Sequence, residues 1–345
     1  MDVFRHNPSK TAVRLPEDVP DPSVDFQAPR ELISKCPKAG ATPLINARDL
    51  AKAVGVGQFW IKDERARMGL GSFKALGAAY VIACDAADGV SKGRTYVTAS
   101  AGNHGLSVAA GAAAFQAKSR VFISETVPEG FAARLAAQGA EVVRQGATYE
   151  DSMAAAEQSA KDTGAILLSD SSWPGYFDAP HRLMEGYLVL MSEVFEQIPE
   201  PPTHIFLQAG VGGLAGACAA AARSQWGDAP TITVVEPDVA PALKASVEAG
   251  HAVTTQGPIS SMGRLDCKEP SLIALKGLAR DANLFATLTE EEGERGAERL
   301  ASLGYATTPS GGAGIAACLA EDARSHFDLS SDARVLAILS EEAAA

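Results

Sequence analysis

Three short segments carry residue types that could work together on an amino group. The first is Gly69-Leu70-Gly71-Ser72-Phe73-Lys74-Ala75-Leu76-Gly77, where Ser72 reads as a helix N-cap and Lys74 as a first-turn residue. A cation there opposes the helix dipole. Its apolar neighbours Phe73, Ala75 and Leu76 argue for partial burial, which lowers the pKa of an amine. A desolvated, neutral amine is the form that attacks a carbonyl to give a Schiff base. Alone the pattern is weak, because most lysines are solvated surface residues. The second is Thr98-Ala99-Ser100-Ala101-Gly102-Asn103-His104-Gly105, small residues between an apolar run and an alanine-rich one. A strand-to-helix turn of this kind exposes backbone N–H groups and seats an anion, with Asn103 and His104 as added donors. An ordinary glycine turn with Asn and His as helix-start residues fits the same letters. The third, Gln208-Ala209-Gly210-Val211-Gly212-Gly213-Leu214-Ala215-Gly216, also lies between an apolar run and a small-residue helix, and its glycines let a phosphate approach the backbone. Gly210, Gly212 and Ala215, with Glu236 after the next apolar run, satisfy a dinucleotide fingerprint. Taken by itself, this loop fits a nicotinamide cofactor or another phosphate-bearing one.

These segments need elements to hold them. Tyr96–Thr98, Arg120–Ile123, Glu141–Val143 and Ala165–Leu168 read as buried strands, each followed by enough chain for a crossover helix. After a proline-rich break at Pro199–Pro202, His204–Leu207, Thr231–Val235 and Val335–Leu339 continue the alternation. Nearly continuous apolar strands alternating with helices indicate an α/β fold with mostly parallel sheets covered on both faces. The proline break is the best linear boundary between two sets of strand–helix units, with a ligand site expected between them at the carboxyl ends of strands.

The 345 residues suffice for two domains, and 46% hydrophobic with 21% charged side chains is an ordinary balance for a soluble protein. A net charge of −12, from 42 acidic and 30 basic residues, disfavours nucleic acid as a partner. The N-terminal stretch lacks the apolar core of a signal peptide, and no apolar run is long enough to suggest a membrane span. Cys36, Cys84, Cys218, Cys267 and Cys318 have no paired spacing for zinc or a redox disulfide, so a metal site is not expected and a cytoplasmic location is.

In this order and at these spacings, the segments resemble fold-type II pyridoxal-phosphate (PLP) enzymes of the serine and threonine dehydratase superfamily, and within it the diaminopropionate ammonia-lyases. The resemblance runs from Ala41-Thr42-Pro43-Leu44 to Ser340. Ser72-Phe73-Lys74 is similar to the family's SFK segment, Gly102–Gly105 to GNHG and Gln208–Gly212 to QAGVG. Asp170–Tyr176 resembles its DTAWEGY stretch and Met262–Pro270 its MAGLACGEP stretch. The resemblance implies two open, mostly parallel sheets with helices on both faces and the site between domains. It implies a large cofactor-binding domain of residues 1–84 plus 186–345, a small mobile domain of residues 85–185, and a homodimer.

It also implies a role for each matching residue. Lys74 would hold PLP covalently, beside Phe73, and remove the substrate's α-proton once released. Asn103 would hydrogen-bond the cofactor's phenolic oxygen. Ser100, Ala101, Gly102 and His104 would form the turn that seats the substrate carboxylate. Gly210, Val211, Gly212 and Gly213 would cradle the cofactor phosphate. Ser340 would face the pyridine nitrogen, with a strand-end serine in an exposed tail as the plainer reading. Such a hydroxyl does not enforce protonation of the ring, which suits β-elimination. Asp170 would recognise a substrate ammonium or help protonate the leaving group, unless it is a simple turn aspartate.

The sequence departs from the family pattern in three places. Ala101 stands where an aspartate commonly serves as a second base for the opposite enantiomer, so activity on a single stereoisomer is expected. Arg264, Asp266 and Lys268 stand where the family is mostly small and uncharged. They would either read a second acidic group or another charged leaving group, or form a surface salt-bridge cluster. Thr308-Pro309-Ser310-Gly311-Gly312 lacks the glutamate that usually precedes the proline in dehydratases. The expectation is a PLP-dependent lyase giving a 2-oxo acid and ammonia. The rivals are a serine, threonine or hydroxyaspartate dehydratase or racemase on the same scaffold, an NAD-linked oxidoreductase, and a PLP-binding protein without turnover.

Overall fold

The computed structural model describes residues 1–8 and 12–343. Its strands are β1 (Asp2–Arg5), β2 (Leu44–Asn46), β3 (Gln58–Asp63), β4 (Thr95–Ala99), β5 (Lys118–Ile123), β6 (Glu141–Arg144), β7 (Ile166–Leu167), β8 (His204–Gln208), β9 (Thr231–Pro237), β10 (Leu284–Leu288) and β11 (Arg334–Leu339). They form two sheets. The seven-stranded one runs β1-β10-β9-β8-β11-β3-β2 and the four-stranded one β6-β5-β4-β7. The small sheet is parallel throughout. In the large sheet only the edge strands β1 and β2 are antiparallel. This is the α/β fold with two mostly parallel sheets expected from the alternation.

Burial explains the composition of the central strands. Val335, Leu336, Ala337, Ile338 and Leu339 of β11 are all at most 1% exposed, because β8 and β3 flank them and helices cover both faces. Each large aliphatic side chain so buried contributes about 1.5–3 kcal/mol. The helices nearest the site are rich in small residues for a steric reason. In Gly213–Trp226, a Cβ at Gly216 would stand 3.2 Å from Ala274 Cα of the neighbouring helix Leu272–Asp281. In Lys74–Ala87, a Cβ at Gly77 would come within 2.7 Å of the Tyr187 ring on helix Asp178–Gln197. Glycine at these positions is what lets the helices approach.

The proline break is not a boundary between sheets. It is a turn between helix Asp178–Gln197 and β8, and both contribute to one apolar core containing Leu188, Leu190, Ile205 and Leu207. The large sheet instead takes strands from both ends of the chain, while all strands of the small sheet lie between residues 95 and 167. Among the described residues no helix is long and apolar enough to cross a membrane.

Candidate active site

Lys74 opens helix Lys74–Ala87, and the Ser72 hydroxyl accepts a hydrogen bond from its backbone N–H at 3.2 Å. The preceding Phe73 N–H donates to the Ser340 carbonyl at 3.1 Å, pinning the helix start to the end of β11. Lys74 Nζ forms a short ion pair with Asp170, three residues beyond β7. This corrects the expectation of a depressed amine. Burial does work to lower the Lys74 pKa, but the adjoining carboxylate outweighs it and the net direction is upward. Asp170 responds in kind: burial works to raise its pKa, and the Lys74 ammonium carries it below the ordinary carboxylate value. The two groups are a charged pair, so Asp170 is not a turn aspartate.

The turn after β4 is sterically tight. A Cβ at Gly105 would lie 2.1 Å from the Ser100 carbonyl oxygen. The Ser100 hydroxyl accepts from the Gly102 N–H at 3.2 Å, and helix Asn103–Ala114 follows, its first N–H groups without intrahelical partners. Asn103 Nδ2 donates to Glu341 Oε2 at 2.5 Å. His104 is buried and its Nε2 donates to the Leu168 carbonyl at 2.9 Å, which leaves Nδ1 as an acceptor with no partner. Burial lowers its pKa, keeping the ring neutral. Ala101 packs beside Leu106 and Leu135 and offers no proton carrier.

The glycine loop follows β8. A Cβ at Gly210 would stand 2.9 Å from Cys267 Sγ and 3.1 Å from the Arg264 carbonyl oxygen, and Gly212 adopts φ +99°, a conformation suited to glycine. Gly213 then begins helix Gly213–Trp226, whose free N–H groups and dipole favour an anion. The Val211 carbonyl accepts from Ser271 N–H at 2.9 Å, holding the loop against its neighbour. Tyr187 borders the loop. Its ring would lie 3.6 Å from a Cβ on Gly213, and its buried hydroxyl has no hydrogen-bond partner. Burial raises its pKa, so it is a neutral donor. A glycine cradle at a helix N-terminus with an orphaned buried hydroxyl fits a phosphate. The second half of the dinucleotide fingerprint fails. Glu236 is fully buried and accepts from the Leu243 and Lys244 N–H groups, both at 2.8 Å, so it faces no ribose. Burial pushes its pKa up to about 8.

Ser340 follows β11 and is buried, its hydroxyl 3.5 Å from the Gly311 carbonyl, so it does not lie in an exposed tail. Gln208 Nε2 donates to the Gly311 and Ile338 carbonyls at 2.9 and 3.0 Å, tying the ends of β8 and β11 together. Arg264 lies in the cleft. A Cβ at Gly102 would come within 3.0 Å of its Nη1, and its Nε is 3.5 Å from Glu341 Oε2. Asp266 is turned away from the turn and the glycine loop. It accepts from Ser260 N–H at 3.2 Å and pairs with Lys268 at 2.6 Å, while Lys268 also donates to the Val239 and Pro258 carbonyls.

Three site residues were not singled out from the sequence. Glu341 receives Asn103, Arg264 and the Thr308 hydroxyl. Cys267 borders the glycine loop as a thiol, its pKa pushed up to about 12 by burial. Tyr187 lies under the cradle. Only Glu341 had a local signal, as the neighbour of Ser340. The contacts Lys74–Asp170 and Asn103–Glu341 each join a segment of one sheet to a segment of the other, so the site occupies the cleft between sheets.

Known proteins resemble this chain in sequence and fold. The family model described as pyridoxal-phosphate dependent enzyme matches residues 36–341. Diaminopropionate ammonia-lyase from Salmonella typhimurium is 33% identical over 268 residues, covering 70% of this chain and 66% of that protein. The chain thus spans about two thirds of that relative's length. The crystal structure of Escherichia coli diaminopropionate ammonia-lyase, in complex with an aminoacrylate–PLP azomethine reaction intermediate, superposes with a TM-score of 0.87 at 26% identity. It covers 99% of this chain and 93% of that one. Tomato threonine deaminase isoform 2 shares the fold, with a TM-score of 0.81 at 21% identity over 99% of this chain and 96% of that one. With the glycine loop, the part-buried Lys74 and the cleft between two mostly parallel sheets in place, the chain belongs to the pyridoxal-phosphate dependent enzyme family and takes pyridoxal 5′-phosphate as its cofactor.

Proposed function

We propose that the protein is an ammonia-lyase that eliminates the β-substituent of an amino acid and releases a 2-oxo acid and ammonia. The observation that carries this reading is the Lys74–Asp170 pair, set between the Ser100–Gly105 turn and the glycine loop. Bound PLP supplies the electron sink for the α-carbon. The chain supplies the rest. The turn and the first N–H groups of helix Asn103–Ala114 hold the α-carboxylate, and Gly210–Gly213 with the Tyr187 hydroxyl hold the phosphate. Phe73 packs beside Lys74, Asn103 serves the phenolic oxygen and Ser340 the ring nitrogen. Lys74 Nζ takes the α-proton, and the β-group departs with the electron pair of its bond. Asp170, freed from Lys74, orients a substrate ammonium or assists the leaving group. The released enamine takes up water to give the 2-oxo acid and ammonia.

Closure of residues 85–185 over the substrate would exclude water and align the α-proton with Lys74. A cytoplasmic homodimer belongs to the same proposal, and light scattering of the purified protein would report it. Because Ala101 has no ionisable group to act as a second base, one enantiomer of any substrate is consumed and the other persists, as a chiral assay of residual substrate would show. Equal consumption of both contradicts that expectation. The test of the function is a panel of β-substituted amino acids, including diaminopropionate, serine, threonine and hydroxyaspartate, with 2-oxo acid and ammonia measured together. Two ammonia per oxo acid indicate a diamino substrate and one indicates another leaving group. No oxo acid from any member contradicts the lyase reading.

A further inference from the structure

We infer that Arg264 is a specificity-determining residue and that the substrate carries a second carboxylate besides the α-carboxylate. The inference rests on the lyase reading for its chemistry, but it concerns recognition. The cleft holds two ion pairs. Lys74 and Asp170 are in close contact and satisfy one another. Arg264 and Glu341 are not equivalent partners. Glu341 is saturated: its side chain is 7% exposed and receives Asn103 Nδ2 at 2.5 Å, the Thr308 hydroxyl, and Arg264. The Arg264 side chain is 37% exposed, and among the described residues its carboxylate partner is Glu341, on one nitrogen at 3.5 Å. A guanidinium has five N–H donors in a planar fork matched to a carboxylate. The unspent recognition capacity of the pair therefore lies on the cation, which takes an anion.

Its position decides which anion. The guanidinium stands over Gly102, where a Cβ would come within 3.0 Å of Nη1 and 3.3 Å of Cζ. Its backbone is fixed independently: Arg264 N–H donates to the Ser310 hydroxyl at 3.0 Å, and its carbonyl abuts Gly210. The α-carboxylate already has the open N–H groups at the start of helix Asn103–Ala114. Arg264, on the cleft side of that turn, is placed to receive a further carboxylate borne on the β-carbon or beyond. A β-ammonium would meet like charge there. Asp266 and Lys268, engaged with each other, take no part.

The test is a spectral titration of the PLP-loaded protein with aspartate and with alanine, in whichever enantiomer it binds. Neither carries a β-leaving group of the kind proposed, so binding is read from the cofactor absorbance without elimination. Wild-type protein is expected to bind aspartate at least tenfold more tightly than alanine. In Arg264→Gln that preference disappears while alanine binding stays within about twofold, and Arg264→Lys restores part of it. Equal affinity of the wild-type protein for the two amino acids, or no response to aspartate, overturns the inference without any variant. A variant that weakens both ligands alike overturns it too, by assigning Arg264 to the α-carboxylate. Failure of the lyase reading looks different: the preference for aspartate persists, and no β-substituted amino acid yields a 2-oxo acid.

Discussion

Lys74 and Asp170 regulate each other's protons. Lys74, raised above its ordinary 10.5, keeps its proton across the neutral range. Asp170, lowered below its ordinary 3.8, stays ionised until strongly acid pH; the stability their pairing contributes is lost as pH falls from the ordinary carboxylate value through the depressed one, and again as pH rises through the raised Lys74 value. Cofactor loading needs a neutral Lys74 amine, so it has to break this pair. In Asp170→Asn the opposing charge is gone and burial is left to act alone. The pH midpoint for PLP loading, followed by visible absorbance, should then fall by about one unit or more. An unchanged midpoint would contradict the pairing. Tyr187 makes the opposite kind of prediction. Its hydroxyl is buried and has no hydrogen-bond partner within the chain. Tyr187→Phe should leave apoprotein stability unchanged or slightly higher, yet weaken PLP binding roughly three- to tenfold, the worth of one hydrogen bond. Urea melts and equilibrium dialysis would measure the two effects, and loss of stability with intact cofactor affinity would contradict the assignment.

The loop that delivers Lys74 depends on a buried ionic cluster. Arg67, 1% exposed, donates to both oxygens of Glu64 at 2.7 Å and to both oxygens of Glu193 at 2.7–2.8 Å, and Lys62 reaches Glu193 at 2.6 Å. Removing one member strands buried charge, so Arg67→Ala should lower stability by about 3–5 kcal/mol in denaturant unfolding. A loss below about 1 kcal/mol would show that the cluster relaxes. The same cluster explains one strand that sequence periodicity did not reveal. β3 reads Gln58-Phe59-Trp60-Ile61-Lys62-Asp63, and its buried Lys62 and Asp63 disguise a central strand as an edge or a loop. β1, β2 and β10 were also missed. The other seven strands were recognised from their apolar runs. The site divides in a similar way. Lys74, Asn103 and Gly210–Gly213 were legible because helix starts and glycine turns are local features. Glu341, Tyr187 and Cys267 were not, because their roles arise from contacts between distant segments, such as Asn103 with Glu341. The Lys74 pKa was misjudged for that reason: its dominant partner lies 96 residues away.

At the scale of the molecule, the two sheets supply complementary halves of one site. β4 and β7 of the small sheet lead to the Ser100–Gly105 turn and Asp170, while β8 and β11 of the large sheet lead to the glycine loop and to Ser340 with Glu341. Strand carboxyl ends converge on a cleft that neither sheet could form alone. Lys74 stands at the join, its helix start bonded to the end of β11 and its amine paired across the cleft. The central claim is that this lysine carries the cofactor. Borohydride reduction of the PLP-loaded protein, followed by peptide mass spectrometry, tests it directly. The reduced adduct is expected on the peptide containing Lys74, and an adduct on any other lysine, or none at all, would contradict the account.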